Sequence, residues 1–271
     1  MNRQFAHCPH TASSLLSPER RRPRRGGAVR LTAISPILGE GFEAEVEKET
    51  ATWIPHDVEL DVRSVRYGVE SIECEYDEVL CAPPILEQVE MAVAAGTDGV
   101  FVSCFADPAV AAARERVDVP VVGGFEPPVL TALSLGERVG IVTVLPNVVP
   151  TIRASIRRHG LAERCSSIRV VDMPVLGLAD RETMLVRLHE QARAAIDGDE
   201  ADVIVLGCTG MSGAAAELQQ RLATSGPTVP VVDPTGAAIG WLLHLARLGV
   251  TSSRATYLPP PDKKRVPANG R

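Results

Sequence analysis

Ala201-Asp-Val-Ile-Val-Leu-Gly-Cys-Thr-Gly-Met211 is the stretch from which the fold is read. Val203 to Leu206 run without a polar break into Gly207 and Cys208. A short apolar run closed by turn residues reads as a strand buried on both faces, as in parallel sheets. Ser212 to Leu222 then reads as a helix, so Cys208 is expected where a strand hands over to a helix N-terminus. Ligands bind at that edge of open α/β sheets. The helix dipole and free backbone N–H groups there favour a thiolate.

The pattern occurs twice. Asp98-Gly-Val-Phe-Val-Ser-Cys104 is again an apolar strand ending in cysteine. Phe105-Ala-Asp107-Pro108 leads into a helical Ala109-Val-Ala-Ala-Ala-Arg-Glu, with Asp107 as N-cap and Pro108 at the first helical position. Val-Pro-Val-Val follows each helix, at 119–122 and at 229–232. Farther out, Val139–Val144 answers Val29–Ile34 as the first strand of each half. The chain therefore reads as α/β, two pseudo-symmetric lobes with mainly parallel sheets. The site is expected in the cleft between them, with Cys104 and Cys208 on opposite walls. We divide the chain into residues 29–125 with 232–258 as the first lobe and 126–231 as the second. Residues 1–28 read as a disordered leader and 259–271 as a polar tail.

Charge and composition narrow the function. The 271 residues carry a net charge of −6 and are 45% hydrophobic, ordinary for a globular chain. Seven arginines and one glutamate lie in residues 1–30, leaving −12 on residues 31–271. That acidic body argues against nucleic acid or an anionic membrane as partner. The arginine-rich leader lacks the apolar core of a secretory signal, and no run approaches the length of a membrane span. A cytoplasmic, homo-oligomeric protein acting on a small molecule is expected. The six cysteines, Cys8, Cys74, Cys81, Cys104, Cys165 and Cys208, show no disulfide-framework spacing, and no Cys or His pair has zinc-ligand spacing. Cys74, Cys81 and Cys165 read as space-filling thiols.

Other elements follow from periodicity. Phe42, Val46 and Trp53 suit a helix on a strongly acidic segment, and Val58, Leu60 and Val62 alternate as a strand. Tyr67 to Tyr76 reads as a loop, and Pro84 as the opening of a helix closed by Gly96. Val149, Ile152 and Ile156 mark another helix, Ile168–Met173 a strand, and Asp180 the cap of a long helix. The last helix is expected around Trp241 to Leu248. Glu126 reads as dipole compensation at a helix start.

The motifs together resemble the aspartate/glutamate/hydantoin racemase superfamily, and within it the hydantoin and allantoin racemases. Cys-Phe-Ala-Asp-Pro at 104–108 and Leu-Gly-Cys-Thr-Gly-Met at 206–211 carry the resemblance, with Ser71-Ile-Glu-Cys-Glu-Tyr-Asp-Glu78 and Asp172-Met-Pro-Val175 beside them. It covers about residues 29–258. Where that family's first strand runs into Asn-Pro-Asn, this chain has Ser35-Pro36-Ile37 and keeps the proline alone. The resemblance implies Cys104 and Cys208 as the acid/base pair. It implies Phe105, Thr209, Gly210 and Met211 as walls or backbone donors around the substrate, with Ser35, Pro36 and Thr143 at the matching first-strand ends.

Two opposed thiols suit racemisation. A proton α to a carbonyl must leave by one face and return by the other, so one group takes and a second gives. Backbone N–H groups after each cysteine would hold the developing enolate oxygen. The expected activity is racemisation of 5-substituted hydantoins or related cyclic ureides such as allantoin, without pyridoxal phosphate, nucleotide or metal. One alternative is an amino-acid racemase or a cysteine-dependent decarboxylase or isomerase of small dicarboxylates. Another is a two-lobed small-molecule binding protein without catalysis.

Overall fold

The computed structural model describes residues 28–39, 42–224 and 226–265. The leader expected at 1–28 falls almost wholly outside them, as does the end of the tail.

Eight strands and eight helices alternate through the described residues. The first half runs β1 (Val29–Ser35), α1 (Phe42–Ala51), β2 (Val58–Ser64), α2 (Glu75–Ala94), β3 (Gly99–Val102), α3 (Val110–Arg116), β4 (Val121–Val122) and α4 (Glu126–Leu133). The second repeats it: β5 (Val139–Thr143), α5 (Val149–Arg158), β6 (Cys165–Val170), α6 (Arg181–Asp199), β7 (Val203–Leu206), α7 (Ala215–Ala223), β8 (Val231–Val232) and α8 (Pro234–Leu248). Two four-stranded sheets result, ordered β2-β1-β3-β4 and β6-β5-β7-β8, and every pairing is parallel. Register repeats as well: Val100 pairs with Val121 in one sheet and Ile204 with Val231 in the other. The architecture is α/β, two parallel sheets, as the duplicated strand–cysteine–helix pattern requires.

Strand burial explains the sequence signal. Every residue of β3, β5 and β7 is buried. Helices cover both faces of these central strands, which is why they read as unbroken apolar runs. The edge strand β2 alternates instead. One face of the first sheet packs under α2 and α3 through Ile34, Val100, Val102, Ile85, Val89 and Ala113. The other packs under α8 and Val46 of α1, where Leu31, Ala33 and Phe101 meet Ala238, Ile239 and Leu242. The last helix thus follows a strand of the second sheet but completes the core of the first.

Four expectations are corrected. α2 starts at Glu75 and carries Pro83 and Pro84 inside it. Its acidic first turn suits the dipole, and Asp77 accepts a bond at 3.0 Å from the N–H of Glu73, the residue before the N-cap position. α7 starts at Ala215 rather than Ser212, because the Ser212 hydroxyl and the Gly213 N–H are turned onto the Asp233 carboxylate. α8 starts at Pro234, well before Trp241, with Asp233 as its N-cap accepting from the Gly236 N–H at 2.9 Å. Asp107 does not cap α3. The residue ahead of that helix is Ala109, in the left-handed region, and the Asp107 side chain reaches elsewhere. Asp180 does cap α6, accepting from the Thr183 N–H. Beyond α8, Arg254 ties the chain back to the first half, donating to Asp118 and to the Arg114 carbonyl, both at 2.9 Å.

Among the described residues no helix is long and apolar enough to cross a membrane, and no three His, Cys, Asp or Glu side chains are grouped to hold a metal ion. The described cysteines are free thiols.

Candidate active site

The C-terminal ends of β1, β3, β5 and β7 open onto a cavity of about 320 Å³. Cys104, just beyond β3, and Cys208, just beyond β7, both line it and are both partly exposed. Each holds the same place in its own half, so the cavity has a pseudo-twofold pair of thiols.

Close backbone contacts fix the two thiol segments. A side chain at Gly207 would put its Cβ 2.8 Å from the Thr143 Cβ, closer than any real contact, so only glycine lets β7 run on beside β5 to Cys208. The Thr143 hydroxyl donates to the Gly207 carbonyl at 2.8 Å and clamps the same crossing. On the other wall the Gly124 N–H donates to the Cys104 carbonyl at 2.9 Å. Asp107 stands behind Cys104 and accepts from the Phe125 N–H at 2.8 Å, joining the Cys104 loop to the start of α4. The Thr209 hydroxyl donates to the Ser103 carbonyl at 3.2 Å and bridges the two segments.

Ser35, Pro36, Phe105, Thr143, Thr209 and Gly210 also line the cavity. Phe105 is more than a wall: it is almost fully buried, meets Phe125 edge to face at 5.5 Å and belongs to the core of the second half. Met211 is absent from the lining, because its side chain is fully buried in that core. Its N–H donates to the Cys208 carbonyl at 3.1 Å, and the Gly210 and Met211 N–H groups both favour the Cys208 thiolate. The Ala106 N–H does the same for Cys104. The backbone donors expected for an enolate oxygen thus also act on the sulfurs.

The thiols are not lowered in pKa as a helix N-terminus would lower them. A 3-10 turn, Thr209–Met211, follows Cys208, and a loop with Asp107 and Ala109 in the left-handed region follows Cys104. Burial pushes Cys208 up to about 12, against the pull of the Gly210 N–H, and the charges of Glu49 and Glu73 raise it further. Burial also holds Cys104 well above the usual thiol range, with Cys208, Glu78 and Asp107 adding to the rise.

Acidic groups surround the pair more closely than the motifs suggested. Glu73 accepts from the Val175 N–H at 2.8 Å, joining the Ser71–Glu78 segment to the segment at 172–175. Tyr76 points outward and is exposed. Glu78 is raised to about 7 by burial, a shift opposed by the neighbouring Thr151 hydroxyl. Glu45 and Glu49 of α1, singled out by no motif, line the cavity. The only sequence signal was the acidic face of that helix. Val144, Val148, Ile152 and Leu178 supply the apolar wall of the second half. Glu126 is paired with Arg114 at 2.6 Å, a stronger tie than dipole compensation. Cys74, Cys81 and Cys165 lie outside the lining.

The sequence model of Asp/Glu/hydantoin racemases matches residues 33–241, most of the chain and both thiols. The chain belongs to the Asp/Glu/hydantoin racemase family. Among curated members, the hydantoin racemase of Pseudomonas sp. (strain NS671) is 30% identical over 237 residues, 87% of this chain and 93% of that protein. The hydantoin racemase of Rhizobium meliloti is 35% identical over 195 residues, 70% of this chain and 78% of that protein. Among solved structures, allantoin racemase from Klebsiella pneumoniae superimposes with a TM-score of 0.82 at 31% identity, covering 89% of this chain and 97% of that one. As a member of the Asp/Glu/hydantoin racemase family the protein is an isomerase, a racemase by class.

Proposed function

We propose that this racemase inverts 5-substituted hydantoins or related cyclic ureides by a two-base transfer between Cys104 and Cys208. The observation that carries the reading is the pair of thiols, at equivalent strand ends, lining one cavity. With the ring between the sulfurs, one thiolate takes the proton from C5. The C–H electron pair moves into the adjacent carbonyl, and an S–H bond forms where the thiolate was. The opposite thiol gives its proton to the other face of C5 and becomes the thiolate. One proton has been taken and one returned, and the roles of the two cysteines are exchanged.

Electrostatics support this division of labour. A charge on Cys208 raises the pKa of Cys104, so once one thiol ionises the other is held neutral. One thiolate facing one thiol is the state that the transfer needs. The residues before the sulfurs, Ser35, Pro36 and Thr143, with Phe105, Thr209 and Gly210, bound the substrate.

The cavity also favours a neutral ring over an anionic substrate. Among the described residues lining it there is no lysine, arginine or histidine, whereas two carboxylates are present. A free amino acid or dicarboxylate would bring its carboxylate into that field without a cation to meet it.

The reading includes a cytoplasmic setting, supported by the free thiols. It also includes assembly into homo-oligomers, which sedimentation tests. Chiral chromatography of single-enantiomer hydantoins and allantoin in deuterated water tests the activity. Inversion with one deuterium gained at C5 is expected, undiminished by chelation and exhaustive dialysis. Inertness toward the whole panel, or carbon dioxide release from a malonate instead, would overturn the reading.

A further inference from the structure

The wall that α1 gives the cavity differs in kind from the rest. Glu45 and Glu49 both line it, four residues apart and so side by side on one helix face. No ion pair or hydrogen bond joins the Glu49 side chain to another described residue. Its electrostatic neighbours, Glu45 and Asp233, carry its own sign, and with burial they raise it to about 8. The lining residues of the second half, Val144, Val148, Ile152 and Leu178, are apolar, and no basic side chain lines the cavity among the described residues. A half-buried carboxyl without a partner is costly, and such groups are ordinarily satisfied by protein, water or ligand.

Resting on the racemase reading above, we propose that Glu45 and Glu49 select hydantoins whose C5 substituent ends in a cationic group, as in the hydantoins of basic amino acids. The ring itself is neutral and needs no counter-charge, so the uncompensated acidic wall is available to the substituent. A guanidinium can fork onto one carboxylate while lying within reach of the other. The apolar residues of the same lining suit the methylene stem that such a substituent carries. A cation beside Glu49 favours its ionised carboxylate, the two charges then largely cancel toward Cys208, and the preference should appear in KM more than in kcat.

The test compares kcat/KM for three hydantoins, bearing guanidinopropyl, the neutral isostere ureidopropyl, or isobutyl at C5. The native protein should prefer guanidinopropyl over ureidopropyl by about tenfold, the difference between a charge-assisted and a neutral hydrogen bond. Glu49→Gln, which keeps the shape, should bring that ratio close to unity, and Glu45→Gln should lower it less because Glu45 is more exposed. Glu49→Lys should turn the preference toward a carboxyethyl substituent. A native ratio at or below unity, or one that Glu49→Gln leaves unchanged, overturns the proposal. If Glu49→Gln fails to fold by circular dichroism, an unchanged ratio in Glu45→Gln overturns it instead. Racemisation of the isobutyl compound without cationic preference removes this inference and leaves the racemase reading standing. Inertness toward all three removes both.

Discussion

Changing Cys104 or Cys208 to serine replaces a thiol by a far weaker acid of nearly the same shape. Every inversion needs both groups, so each variant should lose racemisation in both directions by about a hundredfold to ten-thousandfold. Solvent exchange at C5 should separate them. Each variant should retain exchange, without inversion, for the one enantiomer whose proton faces the remaining thiol. Near-native inversion in either variant, measured by chiral chromatography, would point to a one-base mechanism. The raised pKa of both thiols gives a second expectation. Groups held protonated at neutral pH ionise as pH rises, so kcat/KM, corrected for uncatalysed racemisation, should climb from about pH 7 to about pH 9. A flat or falling profile would mean that a thiolate is already present in the free protein. The positions of both cysteines were legible, because an apolar run ending in Gly-Cys or Ser-Cys marks a strand's exit. Their protonation was not, because it depends on how much protein from the other half closes over them. Glu45 and Glu49 were equally hidden: an acidic helix face reads as solvated until the fold turns one edge of it inward.

Asp-Pro occurs ahead of two helices and means different things at each. At Asp233-Pro234 it is a cap followed by a first-turn proline, and the carboxylate also holds Ser212 and Gly213. At Asp107-Pro108 the same two residues begin no helix, and the carboxylate instead binds the Phe125 N–H across the sheet edge. Local propensity favours the cap in both. At Asp107 a buried N–H brought from 18 residues away competes for the side chain and wins. Asp107→Ala should accordingly cost about 1–3 kcal/mol in chemical denaturation, by stranding that N–H. It should also slow racemisation, since the loop it holds carries Cys104. Asp180→Ala, a plain loss of a helix cap, should cost about 1 kcal/mol. Because Asp180 is not part of the cavity lining, a catalytic defect matching that of Asp107→Ala would contradict the distinction. The helix starts misplaced from sequence at α2 and α7 are likewise places where an internal proline pair, or a carboxylate from a distant segment, overrides the local signal, whereas at α8 the Asp-Pro cap is itself the local signal.

At the scale of the molecule, the duplication was the most legible feature, because repeated strand-end motifs impose repeated topology. Less legible was how firmly the halves are joined at the site, through Thr209 to Ser103 and Glu73 to Val175. Neither bond leaves a local signature. A chain starting at Ala28 should melt and turn over like the full chain, since the sequence of residues 1–27 is rich in arginine, serine and proline and poor in apolar residues. A large loss of melting temperature or of kcat would show that it contributes to the fold. The crossing of α8 back to the first sheet has a further consequence, for synthesis on the ribosome. Leu31, Ala33, Phe101 and Val122 are covered by Ala238, Ile239 and Leu242, which are translated after every strand of both sheets. A nascent chain that has finished β8 therefore still presents an open apolar face, the sort of surface that chaperones bind. Chains stalled after Asp233 should be retained by such chaperones, and release should come only when the last helix clears the exit tunnel.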